Sequence, residues 1–389
     1  MLTISVLQAW LAMEGIDLTT IGLFSLVGLP YTLKFLWAPV IDWLIPPFFG
    51  RRRGWLLIAQ LFTIAAILGL AASHPGNNPW ATAVAALLLS FFSATQDILI
   101  DAYRRESLSD SEQALGASLY TNGYRLGMLL TSGGGLVLAD YVSFPAVYTV
   151  MAGFMLTGVM TTILSREPVQ PSGTPETILR AVVLPLRDFF IRRDSGLILL
   201  FILLYKLGDI MAYQMSVPFY LELGFSNSEI GTIANIFGFA ATMAGTLIGG
   251  LIYLHLGVYR SLWYFGILQC LSTAGFVILA YTGYNLSWLA LIIGFENLST
   301  GMGISAFLAF MANLTDRRFT ATQYALFTSL MGVPRVIVSA STGFMAELLG
   351  WQGFFIACTL IAVPGLLLLF YFRGWMETIP NPVLSTVRP

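Results

Sequence analysis

Long apolar runs alternate with short polar connections along almost the whole chain of 389 residues. A helix needs about 20 mostly apolar residues to cross the hydrocarbon core of a bilayer. Eleven runs reach that length, near 18–44, 54–73, 80–102, 114–138, 145–164, 196–220, 228–255, 262–282, 286–311, 321–348 and 351–372. Residues 1–13 are apolar but too short to cross, and read as the end of a twelfth span whose start is missing. The longest polar connection, 165–195, is rich in Pro, Ser, Arg and Glu and divides the spans six and five, or six and six with the first restored. A short surface helix is expected in it near 176–190. The pattern predicts an all-α membrane protein with bundles at 1–164 and 196–373, a linker at 165–195 and a tail at 374–389.

Charge sharpens this picture. Fifteen arginines lie outside the spans, and all fall on alternate connections: Arg51–Arg53, Arg104, Arg105, Arg166, Arg180, Arg187, Arg192, Arg193, Arg260, Arg317, Arg318, Arg373 and Arg388. The intervening connections carry Glu14, Asp17, His74, Asp140, Glu222 and Glu347 instead. Lys and Arg resist translocation, so the arginine-bearing side and the C-terminus are expected in the cytoplasm. Tryptophans mark both predicted interfaces: Trp43, Trp55, Trp263 and Trp375 on the arginine side, Trp80, Trp288 and Trp351 on the other. Only 10% of residues are charged, against roughly 25% in soluble domains. No basic arm suggests nucleic acid. Cys270 and Cys358 sit inside spans, and His74 and His255 are isolated, so neither a disulfide framework nor a metal site is indicated. No catalytic cluster and no Gly-rich phosphate loop is present, which argues against an enzyme or an ATP-driven pump.

The two halves repeat. Gly15-Ile-Asp-Leu-Thr-Thr-Ile-Gly22 matches Gly224-Phe-Ser-Asn-Ser-Glu-Ile-Gly231, and Gly50-Arg-Arg-Arg-Gly-Trp-Leu56 parallels Gly257-Val-Tyr-Arg-Ser-Leu-Trp263. Gln113 and Arg125 stand twelve residues apart, as do Gln323 and Arg335. With Gly133 and Gly343, the offsets all lie between 207 and 210. Two parallel six-helix repeats related by a pseudo-two-fold axis form a transporter architecture, with the site near midplane between the halves. The same offset places the start of the first helix about twelve residues before Met1.

Specific segments carry a family resemblance. Asp42-Trp-Leu-Ile-Pro-Pro-Phe-Phe-Gly-Arg-Arg-Arg-Gly-Trp55 resembles the loop signature of the major facilitator superfamily, with a longer, Pro-containing spacer. Leu7-Gln-Ala-Trp-Leu11, Lys34-Phe-Leu-Trp-Ala-Pro-Val-Ile-Asp42, Ala94-Thr-Gln-Asp-Ile-Leu-Ile-Asp-Ala-Tyr-Arg104 and Gly123-Tyr-Arg-Leu-Gly-Met128 resemble the AmpG-type muropeptide permeases. The resemblance implies proton-driven import of N-acetylglucosaminyl-anhydro-N-acetylmuramyl peptides across the inner membrane of a Gram-negative bacterium. That activity would serve cell-wall recycling and β-lactamase induction. It implies no bound cofactor beyond the proton gradient, and a monomer in the lipid bilayer. A Gly-Leu-Pro-containing first half-helix, which members carry, is absent here.

Charges inside the spans are costly and are usually kept for function. Lys34, Arg125, Lys206 and Arg335 are the central cations, and Asp97, Asp209 and Glu296 the central anions. A slightly positive cavity suits an anionic ligand: a muropeptide, or equally an acyl-CoA or a sugar phosphate. Lys34, Arg125, Lys206 and Arg335 are therefore candidate substrate anchors. Gln96 and Tyr124, with Asn122, Tyr205, Tyr213 and Gln214, are candidate partners of sugar hydroxyls. Arg125 and Arg335 read equally as scaffold residues bonded to helix carbonyls, and Lys206 with Asp209 as a neutralising pair. Proton coupling needs a carboxylate whose surroundings change. Asp97, in the most specific motif, ranks first, then Glu296, then Asp209. Asp42 with Arg51, Arg52 and Arg53 reads as a cytoplasmic gate latch, and Asp101 with Arg104 as an interfacial pair beside it. Gly133–Gly135, Gly245, Gly249 and Gly250 read as close-packing positions.

Overall fold

The computed structural model describes residues 2–169, 177–191 and 194–376. Arg192, Arg193 and Arg388, the side chains of Arg335 and Trp375, and most of the tail expected at 374–389 lie outside the described residues. Every regular element among the described residues is helical. In chain order the helices are α1 (Leu7–Met13), a broken run over 18–43, α2 (Arg51–Ala71), α3 (Pro79–Ser107), α4 (113–139), α5 (Phe144–Leu164), α6 (Ile178–Ile191), α7 (Ser195–Leu204), α8 (Leu207–Glu222), α9 (230–256), α10 (258–282), α11 (Leu286–Leu314), α12 (320–349) and α13 (351–376). Among the described residues, seven continuous helical runs are long and apolar enough to cross a membrane. The longest of them, Ile230–Thr282, contains two expected spans, because it turns at Gly257. α12 and α13 are likewise separated only by a turn at Gly350.

The span expected near 18–44 is built from short helical pieces. It consists of Leu18–Leu23, Phe24–Gly28, Leu29–Leu33, Lys34–Leu36 and Ala38–Trp43, alternating between α and tighter 3₁₀ turns. Pro30 and Pro39 each remove a backbone donor and crowd the preceding turn, so a regular ladder cannot pass through them. The expected surface helix is α6, at 178–191.

The chain forms two compact units. Unit 1 comprises Met1–Ser107, Gly123–Leu186 and Thr315–Ser329; unit 2 comprises Leu108–Asn122, Arg187–Leu314 and Leu330–Pro389. In unit 1, Trp10 stacks on Phe144 and packs on Tyr148 in a core shared by α1, α2, α3 and α5. In unit 2, Phe219, Phe276 and Phe355 pack face and edge among α8, α10 and α13. Close helix approach explains Gly245, Gly249 and Gly250. An added Cβ would strike the Leu298 backbone, the Met302 backbone and the Ser118 hydroxyl respectively. Gly134 has open space and Gly133 would meet only Leu129 of its own helix, at 3.9 Å, so of that glycine run Gly135, against Val6, is the close-packing position.

The repeat reaches the backbone. Gly15 and Gly224 adopt φ of 74° and 91°, and Gly50 and Gly257 pair φ/ψ of 83°/−174° and 73°/−178°. L-residues with side chains rarely adopt such values, so glycine recurs where each half turns into its next helix.

Candidate functional site

The local backbone first explains where the buried lysines sit. Lys34 opens the Lys34–Leu36 turn, after Leu33 at φ −96° and ψ 5°. Lys206 lies in the break between α7 and α8, at φ −105° and ψ 1°. Both therefore stand where the helix ladder is interrupted. Interrupted helices at membrane depth free backbone groups and are tolerated where they line a cavity or pack in protein.

Lys34, only 5% exposed, places its Nζ 2.5 Å from Oδ2 of Asp97 on α3. Asp101, one turn further, lies within electrostatic reach of Lys34 and Asp97 and 3.5 Å from Arg104. Arg104 in turn donates to the Tyr324 hydroxyl at 2.7 Å and lies over its ring. Lys34, Asp97 and Asp101 form one cluster, with Tyr124, 53% exposed, near it. Tyr31 and Ser93, bonded at 2.6 Å, border it. Gln96 is half-buried, with no side-chain hydrogen bond among the described residues. Arg125, half-buried on α4, is engaged with its surroundings.

Unit 2 holds the second cluster. Lys206 donates to Asp209 at 3.1 Å, both nearly buried. Glu296 of α11 lies in the same region of the unit. Glu296 itself is held by hydroxyls: Ser272 donates at 2.5 Å and Thr300 lies at 3.5 Å. One cation thus faces two carboxylates, and the surplus one has no cation in contact among the described residues. Two expected sugar partners are spent elsewhere. The Tyr205 hydroxyl donates to the Leu262 carbonyl, and Asn122 bonds both Met243 and Thr246 across helices. Both are buried, and a buried polar group takes the nearest partner. Tyr213 and Gln214 remain exposed.

A third cluster occupies the arginine-bearing end of unit 1. Of the three consecutive arginines only Arg52 reaches Asp42, at 2.8 Å, with both side chains fully buried. Arg52 also makes a forked pair with Glu106, and Arg51 bonds Glu106 at 2.7 Å. Arg53 turns away, donating to the Thr162 and Ile163 carbonyls at the end of α5. Glu167 accepts the backbone N–H groups of Arg52 and Arg53, capping α2. A Cβ on Gly50 would meet Glu167 at 2.7 Å, a second reason for glycine there. Asp42 completes the knot by accepting the Thr322 N–H and hydroxyl, each at 2.8 Å, and the Ala321 N–H at 3.3 Å. A carboxylate at a helix N-terminus satisfies orphan donors and meets the positive end of the helix dipole. Sequence reasoning missed Glu106, Glu167 and Thr322. Their signal was the charge excess of Arg51–Arg53, which one Asp cannot balance once buried.

On the connection before α9, Ser226 and Glu229 form a reciprocal cap. The Tyr284 hydroxyl at 2.6 Å, with Ser226, holds the Glu229 carboxyl below its usual range.

Comparison with known proteins agrees with this architecture. The Major Facilitator Superfamily profile matches residues 1–339. The anhydromuropeptide permease of Escherichia coli (strain K12) is 43% identical over 378 residues, 97% of this chain and 77% of that protein. The putative transporter AmpG 4 of Rickettsia felis is 32% identical, over 95% of this chain and 92% of that protein. The solved proton:xylose symporter XylE shares the fold at a TM-score of 0.66 and 12% identity, over 97% of this chain and 91% of that one. A multi-pass helical chain with charges buried at helix breaks, and with these relatives along nearly its full length, belongs to the AmpG-type muropeptide permeases of the Major Facilitator Superfamily, a family of transporters rather than enzymes.

Proposed function

We propose that this protein carries anhydro-muropeptides from periplasm to cytoplasm by alternating access, driven by protons. The observation that carries this reading is the 43% identity to the E. coli anhydromuropeptide permease over 97% of the chain. The chemistry of the site agrees in kind. A muropeptide brings several carboxylates and many hydroxyls, and unit 1 offers Lys34 and Arg125 beside Gln96 and Tyr124. Lys206 and Arg335 are the corresponding candidates from the second half. The arginine-bearing side is cytoplasmic, the C-terminus with it, and the membrane is the inner one. The chain works as a monomer without a bound cofactor, its halves 1–164 and 196–373 rocking about the linker at 165–195.

In this reading the Asp42–Arg52–Glu106 knot is the cytoplasmic latch. It ties the start of α12, which belongs to the second half of the sequence, to charges of the first, so inward opening requires its release. Asp101, Arg104 and Tyr324 form a smaller tie beside it. Proton coupling falls to the central carboxylates. Asp97 is paired with Lys34 and Asp209 with Lys206, which leaves Glu296, among hydroxyls, as the central carboxylate with no cation in contact among the described residues. Geometry thus supports Glu296 ahead of Asp97, the reverse of the motif-based ranking.

The test is uptake of labelled N-acetylglucosaminyl-anhydro-N-acetylmuramyl tripeptide into right-side-out vesicles, with acyl-CoA and sugar phosphate as competitors. Gradient-dependent uptake that unlabelled muropeptide alone suppresses is expected. Suppression by CoA esters or sugar phosphates instead would transfer the assignment to those anions.

A further inference from the structure

Within unit 1, two rungs join the broken run over 18–43 to α3. Lys34 bonds Asp97, and one turn earlier in each segment the Tyr31 hydroxyl meets Ser93 Oγ at 2.6 Å. The rungs differ in access. Lys34 is 5% exposed, whereas Tyr31 is 40% exposed and its bond to Ser93 lies open. Tyr31 and Ser93 stand midway along 18–43 and Pro79–Ser107, and so near the middle of the bilayer. Tyr124 of α4, also exposed, lies near both rungs. These side chains do not face lipid. The apolar stripe of the broken run is Leu29, Leu33 and Leu36, all exposed. Tyr31 stands two residues from Leu29 and from Leu33, about 200° round a helix of 3.6 residues per turn. Exposed Phe91 and Leu126 stand two residues from Ser93 and Tyr124 in the same way. Three polar side chains thus turn away from three apolar stripes, and accessible polar groups at this depth belong to an aqueous cavity.

We propose that Tyr31, Ser93 and Tyr124 form a subsite for one pyranose ring of the transported solute, and that Tyr31 sets its affinity for the sugar part. This rests on the muropeptide reading above and goes beyond it by assigning a part of the solute to a part of the chain. Two bonded hydroxyls use one proton between them and keep a second proton and free lone pairs for a ligand. A sugar hydroxyl, which donates and accepts, engages both; a carboxylate, which only accepts, engages one. The charge beside the rung is closed, because Lys34 is buried against Asp97. The accessible chemistry here is therefore neutral, and suits hydroxyls before carboxylates. The exposed Tyr31 and Tyr124 rings add flat apolar area with few torsions to fix, which covers the C–H face of a pyranose. Ligand sites commonly combine such ring surface with a few placed polar groups.

The test is binding of the peptide-free disaccharide, N-acetylglucosaminyl-anhydro-N-acetylmuramic acid, to the full chain in nanodiscs, with the thermal midpoint measured beside it. Tyr31→Ala should weaken binding on the order of tenfold. Tyr31→Phe keeps the ring and should weaken it about threefold, as should Ser93→Ala. The double change Tyr31→Phe, Ser93→Ala should cost little more than either alone, because the two hydroxyls act as one rung. Leu33→Ala, on the opposite face, should leave binding unchanged. Wild-type affinity in Tyr31→Ala would overturn the proposal. Should Tyr31→Ala lower the thermal midpoint, Tyr31→Phe decides, and an unchanged affinity in it would overturn the proposal equally. A wild-type chain that binds sugar phosphates and no muropeptide would overturn the muropeptide reading, and the Tyr31 variants measured on that sugar would then decide the subsite. Binding of acyl-CoA alone would overturn both.

Discussion

The charges at the arginine-bearing end of unit 1 and those in the middle of unit 2 are both buried, yet they are balanced differently. At the first, Arg51 and Arg52 are paired with Asp42 and Glu106, Glu167 takes backbone N–H groups of α2, and Asp42 also takes the N-terminus of α12. At the second, Lys206 pairs with Asp209, while Glu296 has no cation in contact among the described residues and is held by two hydroxyls. A network of buried ion pairs has one favourable arrangement, and removing one of its ionic partners costs several kcal/mol. A surplus carboxylate among hydroxyls is satisfied in either protonation state, because a hydroxyl both donates and accepts. The first arrangement suits a latch with two mechanical states, the second a group that changes charge.

Four substitutions sharpen or break that contrast, in falling order of effect. Arg52→Ala leaves Asp42 and Glu106 buried without their main partner. It should lower stability by about 3–5 kcal/mol, seen as a large drop in thermal midpoint in detergent, and abolish uptake. A near-wild-type midpoint would mean that the knot holds nothing. Lys34→Met should cost less, because the Asp97 side chain is 23% exposed, yet still lower the thermal midpoint by removing its cation, whereas the double change Lys34→Met, Asp97→Asn should regain most of the stability without the uptake. Additive losses in the double variant would show that the pair is not coupled. Ser272→Ala removes one donor from Glu296 and should cost about 1 kcal/mol. Its informative readout is the pH at which uptake is half-maximal, which should move while the fold stays intact; an unmoved profile would reduce Ser272 to packing. Arg53→Ala is the mildest. Its guanidinium reaches two carbonyls from a partly exposed position, so a loss of about 1 kcal/mol with normal uptake is expected.

Much of the fold could be read from the chain because lipid allows so few backbones. Length and apolarity alone place most helices, and the repeat offsets find Gly15 with Gly224 and Gly50 with Gly257, pairs that share their unusual backbone. The breaks within 18–43 are not legible from an apolar pattern that is continuous, and only Pro30 and Pro39 betray them. The site was legible as an inventory and not as pairings. Asp97 was known to be central, but which cation meets it depends on rotation about two helix axes, which no spacing within α3 specifies. The latch of Asp42 with Arg51–Arg53 reads from sequence without its pairings. The chain enters α2 through the arginines, and successive side chains on a helix diverge, so each finds a different partner. Glu106 was overlooked because it looks like an ordinary polar helix end, and Tyr205 and Asn122 were overvalued because sequence cannot show that a carbonyl already occupies them.

The most direct test separates the two regions by coupling. Glu296→Gln should be measured beside the wild-type protein in reconstituted vesicles, for accumulation of labelled anhydro-muropeptide under an inward proton gradient and for exchange without one. The account expects the variant to exchange at near wild-type rate and to accumulate nothing in response to the gradient. Gradient-driven accumulation at the wild-type level in Glu296→Gln would contradict it and return the proton to Asp97.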